Sequence, residues 1–324
     1  MTEAEQTSIL TLSLMAAFAD GDKHARERDE VKRIAEGLGS AGSIAVAPLY
    51  QDVLMQRTTL PQAAAALTTP ASRSLAYEMA VCVCDADGAQ SQAEQAFLAQ
   101  LRQALQLGER EARPIEEQAE ALAEAPLSVP PELAATAAAA VPAPAGGAPV
   151  ARPDDAALDK TILNAAILNG ALELLPESLS TMAIIPLQMK LVYGIGKAHG
   201  YELDKGHIKD FLATLGVGLT SQYLEQAGRK LLGGLLGKVG GGLLGGLGRQ
   251  AVSSGMSFAS TYALGHVAKR YYAGGRTFST QMLKDSYQGV LQEAQGLQTR
   301  YLPQMQEKAR TLDAGSVLQL VRGR

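Results

Sequence analysis

Apolar residues recur at three- and four-residue spacing through most of the chain, and this period predicts amphipathic α-helices rather than strands. The pattern stops between residues 126 and 153, where Pro, Ala and Gly dominate, a composition typical of a flexible linker. It resumes at Asp154, where an acidic side chain favours the start of a helix. We therefore predict an all-α protein with helical domains at residues 1–125 and 154–280, followed by a C-terminal amphipathic helix at 281–324 that is interrupted at Pro303.

The first domain contains an internal duplication with an offset of 67 residues. Asp20 aligns with Asp87, each followed by Gly, and Glu27 aligns with Glu94. The apolar stripe that follows each glutamate repeats at the same offset. Each copy is predicted to be a helix that ends near Asp-Gly, a short turn, and a second helix with Glu near its start. The first domain is therefore expected to be a pseudo-duplicated helical bundle.

The twice-repeated Ala-Asp-Gly, with Glu seven residues after the Asp, resembles the TerB-like tellurite-resistance family over about residues 5–122. The resemblance implies a small all-helical domain, a role in stress responses and membrane-associated complexes, and a divalent cation of the Ca or Mg type. Its candidate ligands here are Asp20, Glu27, Asp87 and Glu94, since hard cations prefer carboxylate oxygens. The residues alone leave a second interpretation open, in which Asp-Gly ends each first helix and the glutamate caps the second. Asp85 is expected to be a solvated charge.

Residues 231–247 read LLGGLLGKVGGGLLGGL and form a glycine-zipper pattern. The glycines at every fourth position are Gly233, Gly237, Gly241 and Gly245. On a helix they share one face, which lets another backbone approach closely. The stretch is shorter than the roughly 20 residues that span a bilayer, and it contains Lys238. It therefore indicates peripheral membrane contact or self-association into a homo-oligomer, with a soluble packing seam or hairpin inside the domain as the alternative.

Two short segments of the second domain carry a further resemblance. Ile-Pro-Leu-Gln at 185–188 and Thr-Tyr-Ala-Leu-Gly at 261–265 are similar to the YcjF-like domain of unknown function, over about residues 160–280. That domain has no assigned activity, but it occurs beside GTPase modules and in inner-membrane proteins. The resemblance implies a separate GTPase or stress-complex protein as a partner. The apolar stretches at 162–175 and 182–195 are expected to be buried amphipathic helices.

Charge, the N-terminal sequence and the cysteines indicate which partners and which cellular location to expect. The net charge is −4, and no Lys/Arg cluster alternates with aromatic residues, so nucleic acid is not an expected partner. The N-terminus lacks the basic start and continuous apolar run of a secretory signal, which predicts a cytoplasmic protein, either free or peripheral on the inner membrane. Cys82 and Cys84 are expected to be buried structural thiols.

The sequence favours an interaction protein over an enzyme. It lacks HExxH, G-x-S-x-G and phosphate-loop motifs, so no catalytic residue and no cofactor beyond the divalent cation is predicted. We expect a bacterial stress-associated, non-enzymatic scaffold that associates peripherally with membrane or oligomerises through its Gly-rich domain. Two alternatives are a divalent-metal-binding regulator that uses the acidic residues, and a self-assembling soluble component of a larger particle.

Overall fold

The computed structural model describes residues 1–20, 45–87, 90–130, 154–175, 182–215 and 255–322, together with residue 228. These residues form twelve α-helices and one short 3-10 helix and contain no strand. The predicted all-α fold is confirmed. The chain divides into two compact units, the first containing Met1–Glu124 and the second containing the described residues 125–130, 154–175, 183–215 and 255–322.

Six helices and a 3-10 turn make up the described part of the first unit. The helices are α1 Glu3–Ala17, α2 Val46–Leu54, α3 Leu60–Ala65, α4 Pro70–Cys84, α5 Gln92–Ala104 and α6 Glu109–Ala123, with the turn Asp85–Asp87 after α4. Helix α1 is central, because ten of its fifteen residues are buried and it contacts α2, α3, α4 and α5.

Two buried hydroxyl groups of α1 donate hydrogen bonds to the backbone of their own helix. Thr11 Oγ1 donates to the Thr7 carbonyl over 2.8 Å, and Ser13 Oγ donates to the Ile9 carbonyl over 2.9 Å. A hydroxyl bonded one turn back can be buried without an unpaired polar atom. On α4, Cys82 and Cys84 are both buried, as predicted.

Six further helices form the described part of the second unit. They are α7 Asp155–Glu173, α8 Ile184–Ala198, α9 Lys205–Thr214, α10 Gly255–Ala273, α11 Thr280–Arg310 and α12 Ala314–Arg322. Helices α7, α10 and α11 pack on one another, and α8 packs on α7 and α10. Their shared core includes Ala166, Phe258 and Met305, which are fully buried. The predicted buried helices at 162–175 and 182–195 are confirmed as parts of α7 and α8.

The predicted interruption at Pro303 is wrong, because α11 continues through it to Arg310. Pro303 is exposed, so the hydrogen bond that proline removes lies on the solvent side of the helix, where the carbonyl without a partner is accessible to water. Tyr301, Leu302 and Met305 pack against the core on either side of the proline. This packing holds the helix together where its own ladder is weakened.

The structure leaves the Leu/Gly-rich stretch untested. Residues 231–247, with Gly233, Gly237, Gly241 and Gly245, lie outside the described residues, as does most of the predicted linker. Within the described ranges, no helix is both long and apolar enough to cross a membrane.

Candidate functional site

Glu94, one of the four predicted metal ligands, caps a helix. Its Oε2 accepts from the Ser91 backbone N–H over 2.8 Å, while Ser91 Oγ accepts from the Glu94 N–H over 3.2 Å. This reciprocal pair is a capping box, which satisfies two backbone donors at the start of α5. The capping interpretation is therefore confirmed for Glu94, which is 6% exposed.

The other three predicted ligands are only partly described. Asp20 is half-buried in the turn after α1, and its Oδ1 is buried with no hydrogen-bond partner among the described residues. Asp87 ends the 3-10 turn, but its side chain lies outside the described residues, as does the whole of Glu27. In the part of the chain that the structure describes, no three His, Cys, Asp or Glu side chains are grouped to hold a metal ion.

Asp85 is not the solvated charge that the sequence suggested. It is 7% exposed and accepts a hydrogen bond from Gln90 Nε2 over 2.8 Å. Its backbone N–H closes the end of α4 by donating to the carbonyls of Val81 and Val83. The carboxylate is buried because it follows α4 directly, at the point where the chain turns into α5. This location places Asp85 in the wall of a cleft.

The cleft lies between α4, α5 and α6 and has a volume of about 500 Å³. Its lining contains four carboxylates and one guanidinium, that of Arg102. Glu116, Glu120 and the C-cap residue Glu124 follow one another at four-residue spacing, so they form a single stripe along α6 and its C-terminal end. The full lining is Tyr77, Asp85, Gln90, Gln95, Leu98, Ala99, Arg102, Glu116, Glu120, Ala123 and Glu124. The cleft is therefore acidic and suited to a cationic surface.

One hydrogen bond fixes the inner wall of the acidic cleft. The Tyr77 hydroxyl on α4 donates to Glu116 Oε1 on α6. Burial, reinforced by the Glu116 carboxylate, raises the pKa of Tyr77 well above its usual value, so the phenol remains a donor at physiological pH. The bond positions Glu116 at the inner end of the stripe, whereas Glu120 and Glu124 are exposed.

Residues 1–119 match the family described as "Protein of unknown function (DUF533)". That family is TerB-like. The match supports the TerB-like resemblance for the first unit, whereas no comparison supports the YcjF-like resemblance of the second. No curated protein and no solved structure matches the chain.

The DUF533 match covers most of the acidic cleft but not its outer rim. Tyr77, Arg102 and Glu116 lie inside the matched range, while Glu120 and Glu124 lie beyond it. Neither glutamate belongs to a motif that marks a site in the sequence. Their four-residue spacing was a usable signal for a charged helix face, but only the packing of α6 beside α4 shows that the face lines a cleft.

Proposed function

We propose that the protein is a bacterial stress-associated, non-enzymatic scaffold with two functional parts. Its TerB-like first unit presents the acidic cleft to a cationic surface of a partner, such as a separate GTPase or a stress-complex protein. Its second domain, which we propose to be YcjF-like, attaches peripherally to the cytoplasmic face of the inner membrane or to another copy of the chain through the Gly-rich segment.

The glutamate stripe on α6 is the observation that carries this proposal. Three carboxylates at four-residue spacing repel one another, so they add nothing to the stability of an isolated helix. A cationic partner relieves this repulsion and is steered toward the cleft by the local negative potential. The expected binding is strongest at low ionic strength, since salt screens exposed charges.

A matched pair of α6 variants tests the acidic cleft as a binding surface. The probe is a fluorescently labelled oligolysine peptide, whose binding to the full chain is followed by anisotropy. Glu120→Gln/Glu124→Gln is expected to weaken binding several-fold. The control Glu109→Gln/Glu117→Gln removes the same charge from exposed positions of the same helix, including one surface ion pair with Arg113, and is expected to bind like the parent. Equal weakening by both variants refutes a role for the cleft.

Co-sedimentation with anionic phospholipid vesicles tests the attachment of the second domain. The parent is expected to sediment with vesicles, whereas Gly237→Leu/Gly241→Leu is expected to remain in the supernatant because bulky side chains block close backbone approach. The control is Gly289→Leu/Gly296→Leu, since both glycines face open space on α11. If the parent does not bind vesicles but sediments as a large assembly without lipid, a role as a self-assembling soluble component of a larger particle is favoured instead. If it does neither, attachment through this segment is refuted.

A divalent-metal-binding regulator is the second candidate function, and Asp20 favours it. The Asp20 Oδ1 is a buried carboxylate oxygen without a hydrogen-bond partner among the described residues, and carboxylate oxygens suit Ca²⁺ or Mg²⁺. Glu94 fits less well, because one of its oxygens already caps α5. Calorimetric titration with each cation is expected to give binding that Asp20→Asn abolishes. Asp52→Asn is the control, since Asp52 is a partly exposed carboxylate that pairs with Arg57 at the surface, and equal binding by all three proteins refutes this candidate.

A further inference from the structure

Three buried polar side chains meet inside the second unit, one each from α7, α8 and α10. Asn169 Nδ2 donates to Thr261 Oγ1 over 2.9 Å, and Gln188 Nε2 donates to the same oxygen over 3.0 Å. The exposed fraction is 1% for Asn169 and Gln188 and zero for Thr261. We call Asn169, Gln188 and Thr261 the polar layer.

Both amide oxygens of the polar layer are unused. Asn169 Oδ1 and Gln188 Oε1 are buried and accept no hydrogen bond from the described residues. The oxygen and nitrogen of one amide are about 2.3 Å apart, so each unused oxygen lies within about 5.3 Å of Thr261 Oγ1. A buried acceptor without a donor is costly, and native cores satisfy nearly all such atoms. The polar layer therefore contains two buried acceptors that lack a hydrogen-bond donor within the described ranges.

Exchanging the oxygen and nitrogen of an amide does not remove this deficit. After exchange, the oxygen of Asn169 would face the Thr261 hydroxyl, and the oxygen of Gln188 would face the hydroxyls of Ser260 and Thr261. The same exchange turns the NH₂ group of each amide toward the place where its unpaired oxygen had been, so a buried donor is then unpaired instead. The missing partner must therefore be able to donate in one arrangement and also accept in the other. Water does both, whereas a metal cation can only replace a donor.

We propose that the polar layer binds internal water, which donates hydrogen bonds to Asn169 Oδ1 and Gln188 Oε1. Internal waters characteristically bond to buried polar groups that otherwise lack partners. The bound water completes the hydrogen bonding of a site that α7, α8 and α10 already share through Thr261 Oγ1. Exchange of this water with solvent requires the helices to separate locally.

Nuclear magnetic resonance of the full chain tests this proposal without altering the site. The measurement is the Overhauser effect between water and the side-chain NH₂ groups of ¹⁵N-labelled Asn and Gln. Asn169 and Gln188 are expected to give the sign that marks long-lived water, despite their burial. Asn164 is exposed on the same helix and is expected to give the sign of rapidly exchanging surface water. Absence of a long-lived water signal at both buried amides refutes the proposal.

Two variants assign the signals, and a salt series distinguishes water from a cation. Asn169→Leu and Gln188→Met should each remove one NH₂ pair, and through-bond correlations in the parent give the same assignment if a variant fails to fold. The melting temperature of the parent is expected to be equal in potassium, sodium and calcium chlorides and in choline chloride at one ionic strength. A specific increase with one metal ion that disappears in Gln188→Met identifies a cation site and overturns the water proposal.

Discussion

Substitution of Gly265 by Ala tests a close contact between helices in the second unit. A Cβ at this position would lie 2.7 Å from Ile162 Cγ2, 2.8 Å from Ile162 Cγ1 and 3.2 Å from Leu191 Cδ2. Carbon atoms normally pack at about 3.5–4.0 Å. Ile162 is fully buried on α7, and a β-branched side chain in a helix has essentially one χ1 rotamer. The neighbour therefore cannot rotate away, and the helices must move apart.

The expected net loss in the free energy of unfolding follows from two opposed effects. Overpacking a rigid core contact costs up to about 3 kcal/mol, and replacing Gly by Ala inside a helix returns about 1 kcal/mol. Gly265→Ala should therefore destabilise the second unit by about 2 kcal/mol. Gly289→Ala is the control, because nothing lies within 4 Å of the added Cβ, and it should stabilise α11 by about 1 kcal/mol.

Urea unfolding of the full chain, followed by near-ultraviolet circular dichroism, measures this difference. Seven of the nine described tyrosines lie in the second unit, several of them in ring contact, so this signal reports mainly on the unfolding of that unit. Adding Ile162→Ala to Gly265→Ala should remove the overlap, making the double variant more stable than the sum of the two single effects. If Gly265→Ala is as stabilising as Gly289→Ala, the inferred close contact is refuted.

Three further predictions concern charge and capping. The raised pKa of Tyr77 keeps its phenol protonated in the folded chain above about pH 10, where the phenol of the unfolded chain ionises. The folded chain therefore loses stability as the pH rises above about 10, and Tyr77→Phe should reduce this loss. An unchanged pH profile of the urea midpoints contradicts this prediction. Burial lowers the pKa of Lys190, so stability should rise with pH between that lowered pKa and the usual lysine value, and Lys190→Met should abolish the rise. Ser91→Ala should destabilise the first unit by about 1 kcal/mol and Ser91→Gly by only a few tenths; equal losses in thermal unfolding contradict the cap.

Local chemistry explains which parts of the fold could be predicted from sequence. Helical periodicity gave α7 and α8, and the serine three residues before Glu94 is itself a cap signal. These features depend on residues within one or two turns. The predicted interruption at Pro303 was wrong because the effect of a proline depends on which side of α11 faces solvent. Packing against α7 and α10 determines that side.

The acidic cleft could not be predicted from residue spacing, because it depends on how distant helices pack together. Asp85 is polar and follows Cys84 in an acidic turn, so sequence alone favours solvent, yet the packing of three helices buries it. Glu116 lies in the wall of the cleft because it accepts a hydrogen bond from Tyr77, which is 39 residues earlier in the chain. Neither residue has a local pattern that distinguishes a cleft wall from an ordinary charged face.

Buried polar groups form two kinds of hydrogen bond in this chain, and the difference between them has a structural consequence. In the first unit, Thr11 and Ser13 bond within their own helix, so these bonds survive if α1 slides or rotates against its neighbours. In the second unit, Asn169 and Thr261 are 92 residues apart, so their bond is lost if α7 shifts by one turn relative to α10. Long-range buried polar contacts thus fix helix register, as polar core residues do in some helical assemblies. The polar layer therefore fixes the alignment of the helix that the chain enters after the Leu/Gly-rich segment.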